Sequence, residues 1–297
     1  MSRVLVTGAT GAIGTEVVDT LRREDWTVRT TSRTADGADH IRADLLDPDD
    51  AALLAAIEPD AVVHLAGASG SDVSELFPVN VLGTAHLLEA LAPSTRVIVA
   101  GSAAEYGAGT GQPISEATPL RPVSPYGWAK AAQTTTAVAI ARRRDLALTV
   151  VRPFNVFGPG MPERTALGNL RRQLEHGVRG ATATVIAGRL DVVRDYVAAG
   201  VVADTLSGVL ADADPPAVLN VCSGIGIALG DILDEMGTML DVDIDFEVDP
   251  RLEALPAPDA VVGDPSLLIA RYGAIGRPTA HDVARAVLGA NSAGDHR

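Results

Sequence analysis

Apolar residues alternate along the chain between two textures. Short runs rich in Val, Ile, Leu and Thr occupy residues 3–7, 27–31, 61–65, 96–100, 148–151 and 218–222, each of strand length. The segments between them are longer and one-sided. Residues 11–23 bring Ile13, Val17, Val18 and Leu21 onto one helical face, and residues 81–91 do so with Leu82, Leu87, Leu88 and Leu91. Strands alternating with such helices predict βα units around a parallel sheet, an α/β doubly wound fold. After Gly158 the texture changes to Gly and Pro turns, an arginine-rich helical stretch at 167–176 and short strands at 183–187 and 242–246. Two units are therefore expected. A sheet domain takes residues 1–156 and 190–222, and a smaller, discontinuous C-terminal lobe takes 157–189 and 223–297. Residues 291–297 are expected to fray.

Composition narrows the setting. At 297 residues the chain can bury a substantial core. Its longest apolar stretches are broken by Gly, Thr or Arg before the ~18 residues of a membrane span. The first strand begins at Arg3, too early for a secretory leader, so a cytoplasmic protein without a membrane partner is expected. A formal net charge of −14 argues against a nucleic-acid partner, and an anionic ligand must be held by local cations and backbone amides. Cys222 is the one cysteine, which offers neither an intramolecular disulfide nor a cysteine metal cluster, and no metal site is expected.

The segment TGATGAIG, Thr7 to Gly14, joins the first predicted strand to the first predicted helix. A tight turn there aims backbone N–H groups and the positive helix end at a pyrophosphate, and glycines allow a close approach. The spacing is Gly8-x-x-Gly11-x-x-Gly14, which differs from the G-x-G-x-x-G of other dinucleotide sites. An acid ending the second strand binds the ribose hydroxyls of NAD. Here that place holds Ser32 and Arg33. A guanidinium beside a hydroxyl suits the 2′-phosphate of NADP through charge-assisted bonds; the competing reading is a solvated surface arginine. Asp44, in RADLLD, is placed either to accept from an adenine amine or to serve as a helix cap or loop carboxylate.

Lys130 is the one lysine in a chain whose other basic residues are all arginine, and in SPYGWAK it follows Tyr126 by four positions. On a helix the two side chains share a face. An unperturbed phenol, with a pKa of about 10, exchanges protons poorly at neutral pH, and a neighbouring ammonium favours the phenolate. The pair therefore reads as a general acid/base, with Lys130 lowering the pKa of Tyr126. Ser102 follows the fourth predicted strand. There it can hydrogen-bond a reacting carbonyl or act as a cap.

Together these segments resemble the extended short-chain dehydrogenase/reductase family, the NAD(P)-dependent epimerases, dehydratases and reductases of nucleotide sugars. The resemblance runs through TGATGAIG, HLAG at 64–67, NVLGTAHLLEAL from Asn80, Ser102, Tyr126 with Lys130, RPFNVFGPG from Arg152, VRDYV from Val193 and NVCSG from Asn220. It implies a Rossmann-type sheet with a substrate-binding lobe, and catalytic roles for Ser102, Tyr126 and Lys130. Beyond Gly8, Gly11, Ser32, Arg33 and Asp44, it gives cofactor contacts to Thr10, Ala12, Ile13, Leu45, Leu65, Ala66, Gly67, Tyr126, Lys130 and Pro153. NADP(H) is expected in preference to NAD(H). Substrate contacts fall to Ser102, Asn155 and Arg194, the last on a diphosphate; the competing readings make Asn155 a turn residue and pair Arg194 with Asp195. A homodimer is implied as well.

Within the family the resemblance extends to the GDP-4-keto-6-deoxymannose reductases, through GSAAEYG, SPYGWAK, RPFNVFGPG, GRLDVVRDYV and DPRLEALPAPDAVVGDPS. Sugar dehydratases carry an Asp-Glu pair where this chain has Ala103 and Ala104, with Glu105 displaced, so elimination of water is not expected. The family's second diphosphate arginine is missing from RLEALP, where Arg251 is the substitute at hand. The leading expectation is an NAD(P)H-dependent reductase of a nucleotide-linked 4-keto-6-deoxy sugar with Tyr126 as proton donor. The alternatives are a nucleotide-sugar 4-epimerase that retains NAD, a ketoreductase of a non-nucleotide metabolite, and an NADP-sensing protein without turnover.

Overall fold

The computed structural model describes residues 2–34, 37, 39–108, 111–158, 161–163, 165–175, 180–254 and 257–289. The expected fraying of 291–297 lies outside them. The first half runs β1 (Arg3–Thr7), α1 (Ala12–Arg23), β2 (Thr27–Ser32), β3 (His40–Arg42), α2 (Pro48–Ala55), β4 (Ala61–His64), α3 (Val73–Phe77), α4 (Gly83–Ala90), β5 (Arg96–Ala100), α5 (Pro125–Arg144) and β6 (Ala147–Pro153). The second half adds β7 (Asn155–Phe157), α6 (Ala166–Leu174), β8 (Thr182–Ala187), β9 (Val193–Ala198), α7 (Ala199–Ala211), β10 (Val218–Val221), β11 (Gly226–Ala228) and α8 (Leu229–Leu240). It closes with β12 (Asp243–Val248), α9 (Pro250–Glu253), β13 (Ala260–Val261), α10 (Ser266–Tyr272) and α11 (Ala280–Leu288).

Seven strands form one parallel sheet in the order β10-β6-β5-β4-β1-β2-β3. The chain leaves β1 in one direction and returns to β4 on its other side. Ligands of open α/β sheets lodge outside the carboxyl ends of the strands at that reversal. One face of the sheet is covered by α1, α7 and α10, through Val17, Leu21, Val202, Leu206 and Leu268. The other is covered by α2, α4 and α5, through Leu54, Leu87, Leu88, Ala137 and Ile140. With both faces covered, β4 is buried at every position, which is why Ala61, Val62 and Val63 run apolar without alternation up to His64. Each fully buried leucine contributes roughly 1.5–3 kcal/mol.

The lobe has its own core around Leu167, Leu170, Val185, Ile232, Met236 and Val287. There β9 is paired by β7, β11 and β13, while β8 and β12 form a separate parallel pair. Alternation along β9 joins the two cores: Tyr196 packs in the lobe and Val197 against the sheet helices. Residues 223–297, expected in the lobe, also supply α10, whose Leu268 packs into the sheet-side core.

One helical expectation needs correction. Residues 78–82 form a single π-helical turn ahead of α4. The wider turn shifts the phase of the pattern, so Leu82 is 51% exposed while Leu87, Leu88 and Leu91 are buried. The same turn directs Asn80 inward, where its amide accepts from Ala68 N at 3.2 Å and donates to Ala68 O at 3.0 Å.

Candidate active site

The carboxyl ends of β1, β2 and β4 open onto a cavity lined by Gly8, Thr10, Gly11, Ser32, Arg33, Asp44, Leu45, Leu65, Ala66 and Gly67. Gly8 sits at φ 68°, and a Cβ there would lie 2.6 Å from Ala66 N, so only glycine lets the loop press against the end of β4. Gly11 is the N-cap of α1 and supplies no side-chain cap. The orphan amides of the first turn and the positive helix end are thus left at the cavity, an arrangement that fits a pyrophosphate. Arg33 is exposed beyond the end of β2, and the Ser32 hydroxyl hydrogen-bonds His40 Nε2 at 3.0 Å. Asp44 acts as a loop carboxylate and also faces the cavity. Its Oδ1 accepts from Leu46 N at 3.0 Å, closing the loop, and the residue lines the cavity. Ala12 opens α1 but is not among the lining residues.

A second cavity shares Leu65 and Gly67 with the first and is lined further by Ile13, Asn80, Ser102, Tyr126, Lys130, Pro153 and Asn155. Its chemistry comes from α5. Ser124 caps that helix by accepting from Gly127 N at 3.1 Å, and Pro125 stands at its start, where a fixed φ suits the first turn. Tyr126 and Lys130 follow one turn apart. Lys130 is 5% exposed and donates from Nζ to the Ala100 carbonyl. Burial lowers its pKa to about 8, with the Glu105 carboxylate pulling upward. The pKa of Tyr126 is raised, first by burial and also by Glu105, while a hydrogen bond with Ser102 pulls it down. The expected depression by Lys130 is therefore not what the chain by itself produces. Desolvation disfavours the phenolate, and the ammonium is engaged by Ala100 and Glu105. The phenol is left protonated, as a donor.

Behind this cavity lie two features whose roles are not legible from sequence alone. His64 is fully buried. Its Nε2 meets Thr84 Oγ1 at 2.8 Å and its Nδ1 meets Thr7 Oγ1 at 2.7 Å. Thr84 Oγ1 already donates to Asn80 O and accepts from Gln133 Nε2. This fixes a neutral imidazole that donates from Nε2 and accepts at Nδ1. Burial, with Lys130 second, pushes its pKa down to about 3. The second feature is the ion pair of Arg152 with Glu105 at 3.0 Å, almost without exposed surface. The Arg152 guanidinium stacks 4.8 Å from the centre of the Tyr106 ring.

A third cavity shares Ser102, Tyr126, Phe154 and Asn155 with the second and extends past Ala103, Ala104, Arg194 and Val261. Asn155 is a strand residue, not a turn residue, and its Nδ2 donates to Asp195 O at 3.0 Å. Arg194 does not pair with Asp195, because adjacent strand residues point to opposite faces. Arg194 donates to Val193 O at 2.8 Å. Asp195 is buried and accepts from Ser223 N, Ser223 Oγ, Gly224 N and Gly263 N at 2.7–3.1 Å. Arg251 is exposed on α9 and is not among the residues lining this cavity. Among the described residues no cluster of metal ligands is present, and no helix is long and apolar enough to cross a membrane.

A model of the NAD dependent epimerase/dehydratase family matches residues 4–222. The chain belongs to this family. It is 30% identical over 220 residues to the GDP-6-deoxy-D-mannose reductase of Pseudomonas aeruginosa, spanning 70% of this chain and 72% of that protein. It is 31% identical over 216 residues to the UDP-glucose 4-epimerase of Mycolicibacterium smegmatis, spanning 66% and 69%. The solved structure of RMD from Pseudomonas aeruginosa complexed with NADPH superposes with a TM-score of 0.82 at 26% identity, covering 97% of each chain. As a member of this epimerase/dehydratase family, the protein is an NAD(P)-dependent oxidoreductase or epimerase with a Rossmann-type sheet.

Proposed function

We propose that the protein is an NADPH-dependent reductase of a nucleotide-linked 4-keto-6-deoxy sugar. The observation that carries this reading is the end of β2, where Ser32 and Arg33 line the cofactor cavity in place of an acid. A guanidinium and a hydroxyl favour a 2′-phosphate, and so favour NADPH, which serves as an exchangeable reductant. The bound nicotinamide supplies the hydride to the carbonyl carbon. The chain's own residues handle the oxygen. Ser102 orients it, Tyr126 delivers the proton from a phenol that burial keeps neutral, and Lys130 stands one turn away as the local cation. Arg194 offers the substrate cavity a guanidinium for a diphosphate, and Asn155 an amide. Ala103 and Ala104 bring only methyl groups to that cavity, which supports reduction over dehydration. Similarity to the GDP-6-deoxy-D-mannose reductase supports the sugar class.

The test mixes purified protein and NADPH with GDP-, dTDP- and UDP-linked 4-keto-6-deoxy sugars. Stoichiometric oxidation of NADPH, with a 6-deoxy sugar as product, is expected for one of them. NAD retained through purification, with no net oxidation of NADPH, overturns the reading in favour of a 4-epimerase.

A further inference from the structure

We propose that Glu105 is a positioning residue for the reaction: its buried carboxylate fixes the main chain of Ser102 and holds a negative charge behind Lys130. Glu105 lies in the short turn after β5, with no exposed surface. Its Oε1 accepts from the Ser102 amide at 2.9 Å and from the Thr134 hydroxyl at 3.1 Å, and its Oε2 accepts from Arg152 Nε at 3.0 Å. These donors come from the turn that carries Ser102, from α5 one turn beyond Lys130, and from β6. One side chain thus sets the hydroxyl that orients the carbonyl against the helix that carries Tyr126 and Lys130. Room is made for it at Gly101, where a Cβ would overlap Glu105 Oε1.

A neutral group of the same shape could satisfy the Ser102 amide, but the surroundings call for charge. Arg152 is the cationic partner, and it also donates to the Tyr106 hydroxyl at 2.9 Å. The groups that interact electrostatically with Lys130 are Glu105 and, from β4, the neutral His64; Tyr126 lies on its own helix. Glu105 is the anion that sustains the ammonium against the pull of burial. Neutralising it favours loss of the Lys130 proton. The inference rests on the reading that Tyr126 and Lys130 handle the proton, and not on the identity of the sugar.

Lys130 is the only lysine in the chain, so lysine labelled with carbon-13 at Cε gives one side-chain resonance. Its pH titration reports Lys130 with no substrate present. In Glu105→Gln the midpoint is expected to fall below the wild-type value of about 8. The alkaline limb of kcat should move down with it, while the KM for NADPH is unchanged. Glu105→Asp keeps the charge but withdraws the carboxylate by one methylene. There the lysine midpoint is retained and kcat falls by up to about 100-fold, the cost of misplacing an orienting group by about 1 Å. If the carboxylate only supports the fold, thermal stability falls while the lysine midpoint and the pH profile stay where they are, and that result overturns the proposal. Should Glu105→Gln not fold, an unchanged kcat in Glu105→Asp overturns it equally. The lysine titration needs no keto sugar, so a failed substrate assignment and a failed role for Glu105 are distinguishable.

Discussion

Replacing Arg33 with alanine tests the cofactor reading at its most exposed point. A hydrogen bond to a charged group contributes about 1.5–3 kcal/mol when sheltered, whereas exposed ion pairs contribute about 0.2–1 kcal/mol. Arg33 is exposed but stands at the edge of a lined cavity, so a value between the two ranges, about 1–1.5 kcal/mol, is the working figure. That corresponds to a loss of NADPH affinity of roughly five- to tenfold, since about 1.4 kcal/mol is a factor of ten. NADH has no 2′-phosphate, and its affinity should hardly change. Fluorescence titration of both nucleotides, on wild type and on Arg33→Ala, gives the ratio of their Kd values. The wild-type preference should also shrink toward 1 M salt, where the screening length is about 3 Å. A ratio unmoved by the substitution, or a wild type that binds NADH as tightly as NADPH, refutes the reasoning.

Three further outcomes follow from the same geometry. Tyr126→Phe should retain NADPH affinity and lose about 100-fold or more in kcat, the usual scale of a removed acid, as read by steady-state oxidation of NADPH. Gly14→Ala places a Cβ 2.7 Å from Ala9 Cα and against the Gly8 carbonyl. Backbone cannot yield there, so a loss of about 2–3 kcal/mol of stability is expected by urea denaturation, together with weaker NADPH binding. His64 supplies a pH dependence of known sign. Its folded pKa of about 3 lies below the unfolded value of about 6.5, so the unfolded chain takes up the proton first and stability drains as pH falls below that value. Between pH 7 and 5 this amounts to about 2 kcal/mol; His64→Gln should flatten the slope of stability against pH, and parallel slopes would show that the imidazole is not held neutral.

How much of this is visible in the sequence depends on which force sets each feature. Burial on both faces writes β1, β4 and β5 as apolar runs, and these strands stand where the pattern puts them. The glycine loop and SPYGWAK are likewise readable, because backbone approach and helix starts demand particular residue types. By contrast β7, β11 and β13 are two or three residues long, too short to carry a period. The π-helical turn at 78–82 breaks the helical phase, and with it the assignment of Leu82.

Within the site, spacing conveys proximity but neither desolvation nor competition for partners. Tyr126 and Lys130 are neighbours as their spacing requires, yet burial is the leading influence on both the phenol and the ammonium, with Glu105 acting on each and Ala100 accepting from Lys130 Nζ. Adjacency misleads in the opposite way at Arg194 and Asp195. Charges side by side in sequence suggest a pair, while a strand turns them to opposite faces, one to the cavity shared with Tyr126 and one to the amides of Ser223, Gly224 and Gly263. Glu105 shows the converse. It looks like a displaced acid beside a tyrosine, and only the fold brings Arg152, 47 positions away, onto its carboxylate. That cation pairs with the carboxylate where it has no exposed surface. A charge so held acts on whatever shares its low-dielectric surroundings, here the one lysine of the chain.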